Sequence, residues 1–148
     1  MARYFDEFAV GDTFETGSLL ISDAESLAFA EQFDPQPFHL DEEAAKASLF
    51  RGLTSSGWHT AAITMRLVVD SGVLRETGCI GTGVDDLRWL APVKPGDTLR
   101  VRGEIIDKAP WPGSNSRGTL RVRLHTVNQD DIVVMSQIDN LIVPMRPA

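Results

Sequence analysis

The stretch Ser55-Ser56-Gly57-Trp58-His59-Thr60-Ala61-Ala62-Ile63-Thr64-Met65-Arg66-Leu67-Val68-Val69 decides how this chain folds. Ser55, Ser56 and Gly57 suit a helix start, where a serine oxygen can accept from a backbone N–H that has no partner in the helix. Beyond them Trp58, Ala61, Ala62, Ile63, Met65, Leu67, Val68 and Val69 occupy nearly every side of the helix, and only Arg66, His59 and the threonines interrupt. A helix that is apolar all round is a buried helix. Gly72 is suited to end it.

Downstream the period changes from helix to strand. Val84 to Leu90 is one candidate strand; Leu99, Val101 and Ile105 alternate with Arg100, Arg102 and Glu104 in a second; Leu120, Val122 and Leu124 alternate with Arg121, Arg123 and His125 in a third. Residues 132–143 form a longer run rich in Ile and Val. Lys94-Pro95-Gly96-Asp97, Pro112-Gly113-Ser114-Asn115 and Asn128-Gln129-Asp130-Asp131 are the turns between them. Alternating strands imply an antiparallel sheet with one wet face. The class is α+β, with a buried helix for the sheet to wrap.

Upstream, Val10-Gly11-Asp12 reads as a turn followed by a strand-like run to Ile21. Ser22 and Glu25 fit a capping box, predicting a helix to about Gln32 with Ala24, Leu27 and Ala28 on one face. A second helix is expected over 42–49, with Asp41 as N-cap and Leu40 and Ala45 as a hydrophobic staple. No repeat, low-complexity stretch or linker divides the chain, so residues 1–148 read as one domain. That length buries a core without metals or disulfides. A net charge of -7 and the absence of a Lys/Arg run argue against nucleic acid as the main partner. No apolar run reaches membrane-spanning length and no leader pattern opens the chain. The single cysteine, Cys79, excludes an intrachain disulfide and points to a reducing compartment, so the chain reads as cytoplasmic. Cys79 itself reads as a small apolar filler.

Between the first two helices stands Phe33-Asp34-Pro35-Gln36-Pro37-Phe38-His39. Two prolines keep this segment out of a helix and stiffen it. It holds a carboxylate and an imidazole five positions apart, the pair that acid–base chemistry on water requires. Alone, Asp34 also reads as a turn starter and His39 as an ordinary loop residue.

Three groups of residues, in order, resemble the MaoC-like dehydratase family, which includes the (R)-specific enoyl-CoA hydratases: Asp34-Pro35-x-Pro37-x-His39, Ser56-Gly57-Trp58-His59, and Arg88-Trp89-Leu90-x-Pro92-Val93-x-Pro95-Gly96-Asp97. The opening Tyr4-Phe5-x-x-Phe8-x-Val10-Gly11-Asp12 and Asn128-Gln129 also match, so the likeness runs nearly the length of the chain. The resemblance implies a hot-dog fold, a long central helix wrapped by a curved antiparallel sheet, and at least a homodimer. It implies hydration or dehydration of a 2-enoyl thioester, with coenzyme A as part of the substrate and no separate cofactor. By analogy Asp34 is the base that activates water, and His39 helps to bind that water and relays the proton. The amide of Gly57, at the start of the buried helix, is the candidate oxyanion donor. Ser56, Trp58, Pro37 and Phe38 flank these three and are the candidate substrate contacts. Trp58 and Trp89 also read as packing residues. Arg88, Lys108, Arg117, Arg121 and Arg123 are candidates for coenzyme A phosphates or members of a solvated sheet face. The histidines are far apart in sequence and show no metal-ligand spacing. Two positions depart from the family's better-known hydratases: Ser56 stands where histidine is common, and Met65 where a serine is expected. The alternatives are a hot-dog thioesterase, disfavoured because residues 58–69 hold no acidic side chain, and a non-catalytic acyl-thioester-binding dimer.

Overall fold

The computed structural model describes residues 3–74 and 78–148. The helices stand between two short N-terminal strands and the long strands of the sheet: α1 Asp23–Phe33, the single turn α2 Pro37–Leu40, the short α3 Glu42–Lys46, and α4 Gly57–Asp70. The strands are β1 Thr13–Glu15, β2 Leu19–Leu20, β3 Ile80–Trp89, β4 Thr98–Pro110, β5 Arg117–Val127 and β6 Val133–Pro144. They form an antiparallel sheet in the order β1-β4-β5-β6-β3, with β2 pairing the start of β4. Register shifts interrupt β3 and β4, and such bulges bend a sheet and increase its twist.

Three of the helices, α1, α3 and α4, begin at the caps expected of them. Ser22 accepts from the Glu25 amide at 3.1 Å, Asp41 from that of Ala44 at 2.9 Å, and Ser56 from that of Trp58 at 3.2 Å. Past the end of α4, Gly72 takes a φ of +73°, the left-handed conformation that glycine adopts at least cost.

The core lies between one face of α4 and one face of the sheet. Ile63, Leu67 and Val68 of the helix join Leu99, Val101, Ile105, Leu120, Val122 and Leu124 of β4 and β5. Two glycines make room for aromatic rings from the N-terminal segment. A Cβ on Gly103 would lie 2.2 Å from the Phe14 ring, and one on Gly118 would lie 2.4 Å from the Phe5 ring. The opposite sheet face is wet, and ion pairs Arg121–Asp85, Arg123–Glu104 and Arg102–Asp131 cross it.

Four expectations are corrected. First, α4 is not buried all round: Trp58, Met65 and Val69 are 57%, 44% and 55% exposed and leave an apolar stripe bare beside the edge strand β3. The sequence pattern reports the apolarity of both faces, and one chain covers only one of them. Second, α1 buries Ser26 and Ala30 rather than Ala24, Leu27 and Ala28, because Ser26 Oγ hydrogen-bonds Ser55 Oγ at 2.7 Å and draws that face inward. Third, the Pro-rich segment is not wholly non-helical. Pro37 occupies the first position of α2, where its missing N–H costs nothing. Fourth, the helix after Asp41 ends at Lys46 rather than at 49. No helix among the described residues is long and apolar enough to cross a membrane.

Candidate active site

Asp34 terminates α1, with φ −150° and ψ 63°, its N–H bonded to Ala30 O at 2.9 Å. Pro35 disfavours the helical region for the residue before it, so the helix stops at Asp34, and the carboxylate lies against the start of α4. Ser56 Oγ donates to Asp34 Oδ2 at 2.7 Å, and Gln36 Nε2 donates to Oδ1 at 2.5 Å. Burial alone would raise the Asp34 pKa; the hydrogen bonds from Ser56 and Gln36, with the charge of His39, outweigh it and hold the carboxyl below its ordinary value.

His39 is buried on α2. Its Nδ1 lies 2.7 Å from the Thr54 carbonyl, which can only accept, so Nδ1 carries a proton. Nε2 is 3.3 Å from Asp34 Oδ2. In the neutral ring this pair consists of two acceptors side by side, which a water donating to both would satisfy. Phe38 meets the His39 ring edge to face at 4.6 Å, and the Phe38 carbonyl accepts from Thr54 N at 3.3 Å, so the imidazole is held from two sides.

Both groups open onto a cleft of about 420 Å³ whose lining also includes Gly57, Trp58, Phe38, Thr60 and Trp89. The Gly57 amide has no partner among the described residues and lies in the first turn of α4, where free N–H groups and the helix dipole favour negative charge. The space over its Cα is not open for a substrate. Trp89 fills it, with Nε1 donating to Gly57 O at 2.9 Å, and a Cβ on Gly57 would stand 2.5 Å from the indole. The glycine is therefore required by close packing.

The cleft brings together Asp34, His39, Gly57, Phe38 and Trp58, and it does not bring in Ser56 or Pro37. Ser56 is fully buried, engaged with Asp34 on one side and the Trp58 amide on the other. Pro37 is exposed at the start of α2, outside the cleft lining. Trp58 is exposed at the cleft and stacks edge to face on Trp89 at 5.0 Å, so it is not core packing within this chain. Of the basic candidates, Arg121 and Arg123 are paired with acids and Lys108 donates to Phe5 O and Phe8 O. Sequence reasoning missed two contributors: the Thr54 carbonyl is a backbone group and has no residue-type signal, and Gln36 stood as a variable position between two prolines; Trp89 was read as a packing residue, and it packs on Gly57.

Comparison with known proteins places the chain. Residues 7–128 match the model of the MaoC like domain, and the chain belongs to that family of hydratases and dehydratases. It is 38% identical over 129 residues to the uncharacterized protein YdeM of Bacillus subtilis, covering 87% of this chain and 90% of that one. The crystal structure of the MaoC-like dehydratase from Rhodospirillum rubrum superposes with a TM-score of 0.94 at 44% identity, over 99% of this chain and all (100%) of the other. The unliganded R-hydratase PhaJ1 from Pseudomonas aeruginosa does so with a TM-score of 0.73 at 27% identity, covering 97% of this chain and 86% of that one. The architecture is the hot dog.

Proposed function

We propose that this protein adds water to, and removes it from, the double bond of a 2-enoyl thioester, with coenzyme A as the carrier. The 3.3 Å approach of Asp34 Oδ2 and His39 Nε2 at the cleft carries this reading, because it offers two adjacent acceptors to one water. Asp34 takes a proton as the water oxygen attacks the β carbon. The π electrons move onto the thioester oxygen, which the Gly57 amide receives. His39 Nε2 relays the proton to the α carbon, so that H and OH have added across the bond. The reverse steps expel water. Positioned acid–base groups of this kind contribute roughly 10²–10⁴-fold, and one oxyanion donor about 2.7–4 kcal/mol.

The working unit is a homodimer or higher assembly. The bare stripe of Trp58, Met65 and Val69 and the neighbouring edge strand β3, with Ile80 and Val84 exposed, support this. An apolar helix face beside an unpaired strand edge is what a second copy would cover.

The test is loss of enoyl-thioester absorbance with short, long, branched and dicarboxylic trans-2-enoyl-CoAs, run beside Asp34→Asn and His39→Ala. Turnover by the native protein alone supports the assignment. Undiminished turnover by Asp34→Asn removes Asp34 as the base, and thiol release in place of hydration replaces the reading with a thioesterase.

A further inference from the structure

A second cavity, of about 350 Å³, lies between α4 and the sheet and shares no lining residue with the cleft of Asp34 and His39. Phe8, Phe14, Val68 and Leu124 give it an apolar wall. Among the described residues that line it, Cys79 and Asp139 are the titratable ones. Asp139 is 4% exposed. It faces inward from β6, and its cross-strand neighbours are Val84 on β3 and Val122 on β5. A carboxyl in such surroundings must be paired or neutral. No cation reaches it among the described residues. Gln137 Nε2 donates to Oδ1 at 2.5 Å, and among the described residues Oδ2 has no partner. The Gln137 Oε1 is buried and unpaired among them. Gly81 of edge strand β3 also lines the cavity, and a Cβ there would meet nothing within 4 Å, so packing does not demand that glycine.

We propose that this cavity takes the apolar body of a ligand chain, and that Asp139 hydrogen-bonds a neutral oxygen function on that chain, so that a hydroxylated chain is preferred over a plain hydrocarbon one. Ligand pockets commonly combine an apolar wall with a few placed polar groups that set orientation and specificity. Burial raises the Asp139 pKa, with the Gln137 hydrogen bond opposing, which favours the protonated carboxyl, a donor as well as an acceptor. A cationic terminus would lose its own hydration for a carboxyl that its surroundings hold toward neutrality. In the acyl-thioester reading above, on which this rests, the chain is the acyl group of the substrate.

The first test measures binding without catalysis. The affinities of 1-hexanol and 1-chlorohexane are measured calorimetrically on the native protein and on Asp139→Leu, with near-ultraviolet circular dichroism to verify the fold. The hexanol-to-chlorohexane affinity ratio is expected to fall about tenfold on substitution, the worth of one buried neutral hydrogen bond. An unchanged ratio, or no binding of either probe, as expected of a cavity holding only water, overturns the proposal. Asp139→Asn keeps the shape and a donor. Its ratio should be independent of pH, while that of the native protein changes as Asp139 ionises and a carboxyl that donates and accepts becomes one that only accepts; Cys79→Ala should follow the native protein. Two flat or two matching profiles speak against Asp139 and hold even if the leucine variant does not fold. The second test repeats the comparison with trans-2-enoyl-CoAs of equal length, with and without a terminal hydroxyl. A shifted binding ratio without turnover of any thioester refutes the hydratase reading and leaves the cavity assignment standing. Turnover with an unshifted ratio does the reverse.

Discussion

Ser56→Ala is the perturbation that separates support of the site from contact with the substrate. The Ser56 hydroxyl donates its one proton to Asp34 Oδ2 at 2.7 Å and accepts from the Trp58 amide at 3.2 Å. Alanine removes both bonds at once. Loss of an N-cap costs about 1 kcal/mol, and loss of a hydrogen bond to a charged group about 1.5–3 kcal/mol. The Asp34 side chain is 17% exposed and opens on the cleft, so water can replace the second bond in part, which favours the lower end of that range. The sum is about 2–3 kcal/mol, or a fall in Tm of roughly 4–12 °C for a domain of this size. The carboxyl also loses one of the two hydrogen bonds that oppose the effect of burial, so its pKa rises and the acid limb of the kcat/KM profile moves toward neutrality. Hydration of an enoyl-CoA followed across acid pH, with a melting curve for each variant, measures both. A lowered Tm with the acid limb unmoved would refute the view that Asp34 is the titrating base and that Ser56 acts through it.

Gly57→Ala should destabilise the fold by about 1–3 kcal/mol by overpacking against Trp89; denaturant unfolding checks this, and Trp89→Leu in the same chain should recover part of the loss. Asp34→Asn should keep the fold and lower kcat by roughly 10²–10⁴-fold, and a fall below tenfold in stopped assays counts against it. His59 is buried against Phe29 at 4.8 Å, and desolvation, opposed by Glu25, depresses its pKa from 6.5. Its contribution to stability is therefore present above pH 6.5 and lost as pH falls through the depressed folded value; His59→Phe should flatten that part of the Tm-against-pH curve. Val69→Lys, on the bare stripe of α4, should shift sedimentation toward the monomer, whereas on a free monomer surface it would change stability by under about 0.5 kcal/mol.

The fold was legible where the pattern was local. The alternation of Leu99, Val101 and Ile105, and of Leu120, Val122 and Leu124, predicts the strands, and Ser22, Asp41 and Ser56 stand at helix starts as caps. Legibility ended where a residue's burial depends on a remote one. Nothing in the sequence of α1 says that Ser26 would turn inward to meet Ser55, because hydrophobicity alone selects Leu27. The family motif brought Asp34, His39 and Gly57 together; the spacing of residues alone left Asp34 and His39 as plausible turn residues. Asp139 went unnoticed because a single carboxylate in an alternating strand reads as an outward residue. It shares a face with Leu141 and Val143 by strand alternation, and only the structure shows that this face, rather than the one carrying Ile138 and Ile142, is the buried one.

The same buried contacts fix the reacting pair from opposite directions. Ser26 joins α1 to the residue before α4, Ser56 joins the end of α1 to the first turn of α4, and the Thr54 carbonyl holds His39 from the backbone just upstream. Three successive residues, Thr54, Ser55 and Ser56, thus position both the carboxylate and the imidazole, and the next residue supplies the free amide. An acid, a base and an oxyanion donor referenced to one short backbone segment keep their relative geometry when the surrounding loops move, and preorganisation of that kind is what makes hydrogen-bond donors effective in a transition state. A histidine at position 56 would fill the fully buried serine position with a ring; Ser56 keeps the hydroxyl that Asp34 and the Trp58 amide share.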